Sequence, residues 1–203
     1  MAHFADPPRR LTEVGEGQAS ALRPELERPA NAVSVVLVSC LSRAIKTALL
    51  AFPGDGTTPP FEVVDNLRER IGTHPCDKRR AKADIAADFP TVSLDDLTFE
   101  EDERWSEERE PVRELIERSN RFLTTVRARP EHRIGVCSHN DFLTAVFFDS
   151  VLRFDDEALR VKFANAQHHA IVLRWEAPEE GTEGARAADT PKSVGAAARG
   201  ASE

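Results

Sequence analysis

Val33-Ser34-Val35-Val36-Leu37-Val38-Ser39 is a run of aliphatic, largely β-branched residues that passes at once into Cys40-Leu41-Ser42-Arg43-Ala44-Ile45-Lys46-Thr47. A strand with no polar alternation is the pattern of one covered on both faces, as a central parallel strand is. Arg133-Ile134-Gly135-Val136-Cys137-Ser138 repeats the pattern and leads into His139-Asn140-Asp141-Phe142-Leu143. Apolar helical spacing follows each run, over residues 41–52 and 141–152. Strand followed directly by helix, twice, predicts an α/β fold with a mainly parallel sheet flanked by helices. In such sheets functional groups collect where strands end and helices begin.

The remaining elements fit this frame. Ala170-Ile171-Val172-Leu173-Arg174-Trp175 is a third β-rich run that closes the domain. Residues 108–129 place Val112, Leu115, Ile116, Phe122, Leu123 and Val126 on one helical face, and Pro130 ends the helix. Residues 12–26 form another helix, with Thr12 as its N-cap. Residues 78–89 form a shorter, more polar one. From residue 176 the chain turns to Gly, Ala, Glu, Arg and Pro, with Val194 as its only aliphatic residue larger than alanine. Such a segment buries too little apolar surface to offset its ordering entropy. The organisation expected is one folded domain over residues 1–175 and a disordered tail over 176–203.

Bulk properties narrow the partners. The 203 residues suit a single domain. The formal charge of −8 argues against nucleic-acid binding, which needs a basic face. The apolar run 32–38 is far shorter than the roughly 20 residues of a membrane span. Three cysteines, Cys40, Cys76 and Cys137, are too few and too odd in number for a disulfide framework, and predict reduced thiols in a cytoplasmic protein. His168-His169 and the His74/Cys76 pair lack zinc-site spacing, so neither a metal nor another cofactor is expected. The sequence is silent on oligomeric state.

Arg43 and His139 stand just past the carboxyl ends of the two strong strands, each near a helix N-terminus. An arginine and a histidine so placed converge on one anion, which helix amides also attract. Cys137 and His139 alternate on one face of an extended segment, which raises a thiolate pair as a weaker alternative. Arg79 and Arg80 read as a solvated helix face.

These segments resemble the histidine phosphatase superfamily, in its phosphoglycerate-mutase-like branch. Ser39, Leu41, Arg43, Ala44 and Thr47 follow its pattern of Ser, any residue, Leu, any residue, Arg, Ala, then Thr three positions on. Ser138-His139 with Phe142-Leu143 follows its Ser-His-x-x-Phe-Leu turn. Asp6, Leu11-Thr12, Gly15 and Gln18-Ala19 resemble its first helix, and Leu67-Arg68-Glu69 with Gly72 resembles the segment bearing its acid. His74-Pro75-Cys76-Asp77-Lys78-Arg79-Arg80, then Asp102-Glu103-Arg104-Trp105 and Arg109-Glu110, are similar to plant and fungal mutase-like phosphatases. The resemblance covers residues 6 to about 175.

The resemblance implies a phosphoglycerate-mutase-like fold, a small phosphorylated substrate and hydrolysis of phosphomonoesters through a phosphohistidine. Arg43 matches the phosphate-clamping arginine, His139 the second catalytic histidine, and Glu69 the general acid and base. The family opens with a strand ending in Arg-His-Gly. Here only Met1-Ala2-His3-Phe4-Ala5 precedes Asp6, and His3 lacks the flanking arginine and glycine. The expectation is therefore a sheet lacking its first central strand and a phosphatase impaired by the loss of its nucleophile. The alternative is a catalytically inactive phosphate-binding protein with a regulatory role; mutase activity on phosphoglycerate is a third reading. Asp141, in place of a small residue, is expected to bring negative charge towards the phosphate.

Overall fold

The computed structural model describes residues 10–52, 59–176 and 191–196. His3 and Asp6 lie outside these residues. Thr12 caps helix α1 (Glu13–Ala21) by accepting a hydrogen bond from Gly15 N at 3.1 Å. Pro24 stands in the first turn of a separate helix, α2 (Arg23–Leu26), so the helix expected over 12–26 is divided. Four parallel strands follow: β1 (Val35–Ser39), β2 (Phe61–Val64), β3 (Val92–Ser93) and β4 (Ile134–Cys137), in the spatial order β3-β2-β1-β4. Helices α3 (Ser42–Ala51), α4 (Lys82–Asp88), α5 (Val112–Ala128) and α6 (Asn140–Thr144) complete the main layers. This is an α/β architecture, consistent with a phosphoglycerate-mutase-like fold.

Strand periodicity explains the two cores. All five residues of β1 are buried. Val36 and Val38 join Ala44, Ile45, Ala48, Phe61, Val63 and Ile85 on one face. Val35 and Leu37 join Leu67, Leu115, Phe122, Leu123 and Phe142 on the other. Alternate side chains of one strand thus face opposite helix layers. Gly135 of β4 faces the first core, where a Cβ would stand 2.8 Å from the Phe52 ring.

β4 departs from the reading of a fully buried strand. Among the described residues it pairs only with β1, and Val136, in register with Leu37, is 40% exposed. An edge position leaves its outer backbone side unpaired and the adjoining face incompletely covered. The strands leading to Arg43 and His139 are direct neighbours. Val112 also departs from its expected place. It starts α5, directly after Pro111, and is 51% exposed rather than part of the buried face.

The third β-rich run forms β6 (Ile171–Trp175) in a second sheet of order β5-β7-β6, with β5 at Arg153–Phe154 and β7 at Pro191–Ala196. β7 runs antiparallel to β6 and parallel to β5. Pro191–Ala196, within the segment expected to be a disordered tail, forms β7, whose ladder hydrogen bonds are made by the backbone and need no apolar side chain. Residues 177–190 and 197–203 lie outside the described residues. No helix among the described residues is long and apolar enough to cross a membrane.

Between β2 and α5 the chain is mostly irregular, and buried arginines hold it. Arg68 is fully buried and donates to both carboxylate oxygens of Asp102 and to Asp77 O. Arg118 on α5 donates to both oxygens of Glu110 and to the carbonyls of Asn66, Arg68 and Glu69. Arg79 is buried as well, donating to the carbonyls of Phe99, Arg80, Glu100 and Glu101. This corrects the solvated reading of Arg79: unpaired carbonyls of the irregular chain draw the guanidinium inward. Arg80 does stay outside, paired with Asp88.

Arg118→Met should lower stability by about 3–5 kcal/mol, because Glu110 and three carbonyls lose their donors inside the protein. A urea midpoint within error of wild type would refute this. Burial raises the Asp102 carboxyl, but the Arg68 hydrogen bond and charge outweigh it and hold it below the ordinary range. Its contribution to stability is therefore full at neutral pH and is lost as pH falls through that depressed value. Asp102→Asn should flatten the acid limb of the unfolding profile.

Candidate functional site

The carboxyl ends of β1 and β4 and the loop after β2 meet at one place. β1 ends at Ser39, and β4 is followed by Ser138 and His139. The loop after β2 carries Glu69. Ser138 Oγ donates to Leu67 O at 2.7 Å, which ties the end of β4 to that loop. Gly72 bends it back: its φ is +89°, and a Cβ there would lie 1.8 Å from Glu108 O, so only glycine fits.

His139 is buried, with Nε2 2.8 Å from Ser39 Oγ. Ser39 Oγ already accepts from Leu41 N at 3.3 Å. Ser39 Oγ can donate to Nε2 or accept from it; donation goes with the tautomer that carries hydrogen on Nδ1. Burial first, and then the charges of Arg43, Arg118 and Arg68, push the His139 pKa well below the usual histidine value. His139 is therefore neutral at pH 7.

Glu69 lies at the start of α6. One of its oxygens accepts from Arg70 N at 2.9 Å, Asp141 N at 3.1 Å and Phe142 N at 3.3 Å. Burial raises its pKa, against the pull of the Arg70 and Asp141 amides, and the charges of Asp141 and Asp77 raise it further. The α6 amides expected to receive an anion are thus occupied by this carboxyl. An acid with a raised pKa is suited to give and take a proton.

Arg43, on the first turn of α3, donates from Nη1 to Cys76 O at 2.5 Å and from Nη2 to Asp77 Oδ1 at 2.9 Å. Asp77 is 5% exposed and also binds Arg109. Arg109 in turn reaches Asp141 Oδ2 at 3.1 Å, so the negative charge of Asp141 is met by a partner. Ser39, Asp77 and Arg109 lie in the same motifs without a role legible from sequence. Their type and spacing carried no signal of who would touch whom. Cys137 is pushed up to about 12 by burial, with Sγ 3.5 Å from Ala44 O. A thiol pushed up by burial is a poor nucleophile at neutral pH, which weighs against the Cys137–His139 alternative.

An arginine, a neutral histidine and a raised carboxyl gathered at the ends of neighbouring parallel strands are the geometry on which comparison with known proteins bears. Residues 4–182 match the family described as Histidine phosphatase superfamily (branch 1). The chain belongs to the histidine phosphatase superfamily. Among its relatives is Phosphoglycerate mutase-like protein 1 of Arabidopsis thaliana, 30% identical over 162 residues, covering 66% of this chain and 57% of the relative. Another Arabidopsis thaliana protein, Phosphoglycerate mutase-like protein, is also 30% identical over 162 residues, covering 66% of this chain and 60% of its own length. Phosphoglycerate mutase-like protein 2 is 24% identical over 224 residues, covering 80% of this chain and 64% of the relative. The chain thus spans less than two thirds of the length of these relatives.

Long-range nitrogen–proton NMR tests which ring nitrogen of His139 carries the hydrogen when Ser39 donates to Nε2. His139 should show hydrogen on Nδ1 and a titration midpoint well below the ordinary histidine value. Because the folded pKa is depressed, the unfolded chain binds the extra proton, so stability rises with pH from the folded midpoint up through the ordinary histidine range. His139→Gln should reduce this slope. An Nε2–H signal, or a midpoint near 6.5, would contradict the assignment.

Proposed function

We propose that this domain carries the phosphate-binding and acid–base groups of a phosphomonoesterase. The observation that carries the proposal is the convergence of Arg43, His139 and Glu69 from three elements at the carboxyl ends of β1, β4 and β2. Arg43 clamps the phosphoryl oxygens as a planar, two-pronged donor. Nδ1–H of His139 donates to a further oxygen, in a contact that strengthens as charge builds there. Phosphoryl transfer asks mostly for such positioning and charge stabilisation.

Glu69 gives its proton to the departing alkoxide while a nucleophilic histidine bonds to phosphorus. Water then displaces the histidine from phosphorus, and its proton returns to Glu69. No Arg-His-Gly triplet occurs in this sequence. The nucleophile therefore belongs to a segment ending in that triplet, which is not among the residues given. On this reading the chain as given binds phosphomonoesters without turning them over. A second reading, a phosphate-binding protein that never turns over, rests on the same missing triplet.

The chain as given should bind inorganic phosphate or vanadate, and Arg43→Met should weaken that binding about tenfold or more. It should leave p-nitrophenyl phosphate essentially unhydrolysed. An extended chain bearing an upstream strand that ends in Arg-His-Gly should hydrolyse it. In that extended chain, Glu69→Gln should slow alkyl esters more than aryl esters, which need little proton assistance. Absence of phosphate binding in the short chain would sink the proposal. Binding by both chains without turnover by either would favour the second reading. Turnover by the short chain that Cys137→Ser abolishes would restore the thiol alternative.

A further inference from the structure

Arg109 enters the site between two carboxylates. Its Nη1 donates to Gly72 O at 2.9 Å and Asp77 Oδ2 at 3.1 Å, and its Nη2 to Asp141 Oδ2 at 3.1 Å. Asp77 offers its other oxygen to Arg43 at 2.9 Å. Arg43, Asp77, Arg109 and Asp141 thus form a row of alternating sign in which two positive and two negative groups cancel. The two ends of the row differ. Asp77 is nearly buried and serves both guanidiniums, whereas the Asp141 side chain is 47% exposed. The backbone of Asp141 is pinned by its amide bond to Glu69, so its carboxylate acts without the helix start having to move.

A guanidinium beside a phosphate clamp is a ready seat for a second anion on the same ligand, such as a carboxylate or another phosphate. Here Asp141 already occupies that seat. A ligand carboxylate reaching Arg109 would have to displace Asp141, and would then stand beside the carboxylate it had unpaired. The first costs an ion pair of similar kind, and the second is repulsive. We propose that Asp141 sets the substrate class, closing Arg109 to a second anionic group. The pocket then takes phosphomonoesters whose alcohol part is uncharged and disfavours phosphorylated hydroxy acids and bisphosphates. This rests on the reading that Arg43 and His139 hold the phosphate. Because the Arg109–Asp141 pair is partly exposed, the discrimination is several-fold rather than absolute.

The test compares two near-isosteric probes by titration calorimetry on the chain as given: glycerol 3-phosphate and 3-phosphoglycerate, which differ by a hydroxymethyl against a carboxylate. Glycerol 3-phosphate should bind about five-fold or more tightly. Asp141→Asn should erase or reverse that ratio, chiefly by improving 3-phosphoglycerate binding, while Asp141→Glu keeps the wild-type preference. Adding Arg109→Gln to Asp141→Asn should remove the gain. Asp141 is exposed enough that its variants should keep the wild-type urea midpoint, which checks that they fold. Equal binding of the two probes by wild type overturns the proposal. So does an equal gain for both in Asp141→Asn, which would reflect only the loss of a negative charge near an anion. If inorganic phosphate fails to bind wild type at all, the phosphate-pocket reading itself falls, and this inference falls with it.

Discussion

Carbonyl oxygens in an irregular chain need donors, and in this protein arginine side chains supply them. Apart from α4 and β3, the backbone between β2 and α5 turns through short 3-10 segments and extended stretches that lie outside any ladder. Arg118 takes three of these carbonyls, Arg79 four, and Arg68, Arg70, Arg109 and Arg43 one each. A guanidinium carries five donors in a rigid fork, so one side chain can bind several carbonyls and a carboxylate together. Asp102, Glu110 and Asp77 balance the charge this brings inside. The placement of Glu69 depends on this framework, since its own carbonyl is one of those Arg118 holds.

The framework also sets the electrostatics of the site. Arg68 and Arg118 stand close enough to His139 to help keep it neutral, although their hydrogen bonds go elsewhere. Arg118 further stacks over Phe142, three residues past His139, with its guanidinium carbon 5.0 Å from the ring centre. Scaffold and site are therefore coupled through shared cations.

Among the described residues β4 is an edge strand of the parallel sheet. Its inner neighbour, β1, is sealed on both faces, while β4 exposes Val136 and an unpaired backbone side among the described residues. The strand that delivers His139 is thus the one with room beside it. An exposed strand edge invites pairing, which makes this the place where an added strand would gain both hydrogen bonds and apolar cover.

The sequence by itself determined the layered α/β architecture and the places of Arg43 and His139. A short apolar run rich in β-branched residues, such as 35–38, suits a strand covered on both faces, and a strand that runs straight into helical spacing leaves its last residues at the carboxyl edge of the sheet. Thr12 as a cap and the helix after β1 were legible for the same local reason. β2 escaped notice because Phe61-Glu62-Val63-Val64 is short and carries a charge, which Arg129 neutralises from the end of α5. β7 escaped because backbone pairing leaves no mark in composition. Only the tertiary structure decided that Ser39 orients His139, that Glu69 occupies the α6 amides, and that Asp77 and Asp141 share Arg109. Those contacts join residues 32 to 100 positions apart, and no local spacing rule fixes which long, flexible charged side chain meets which partner at that separation.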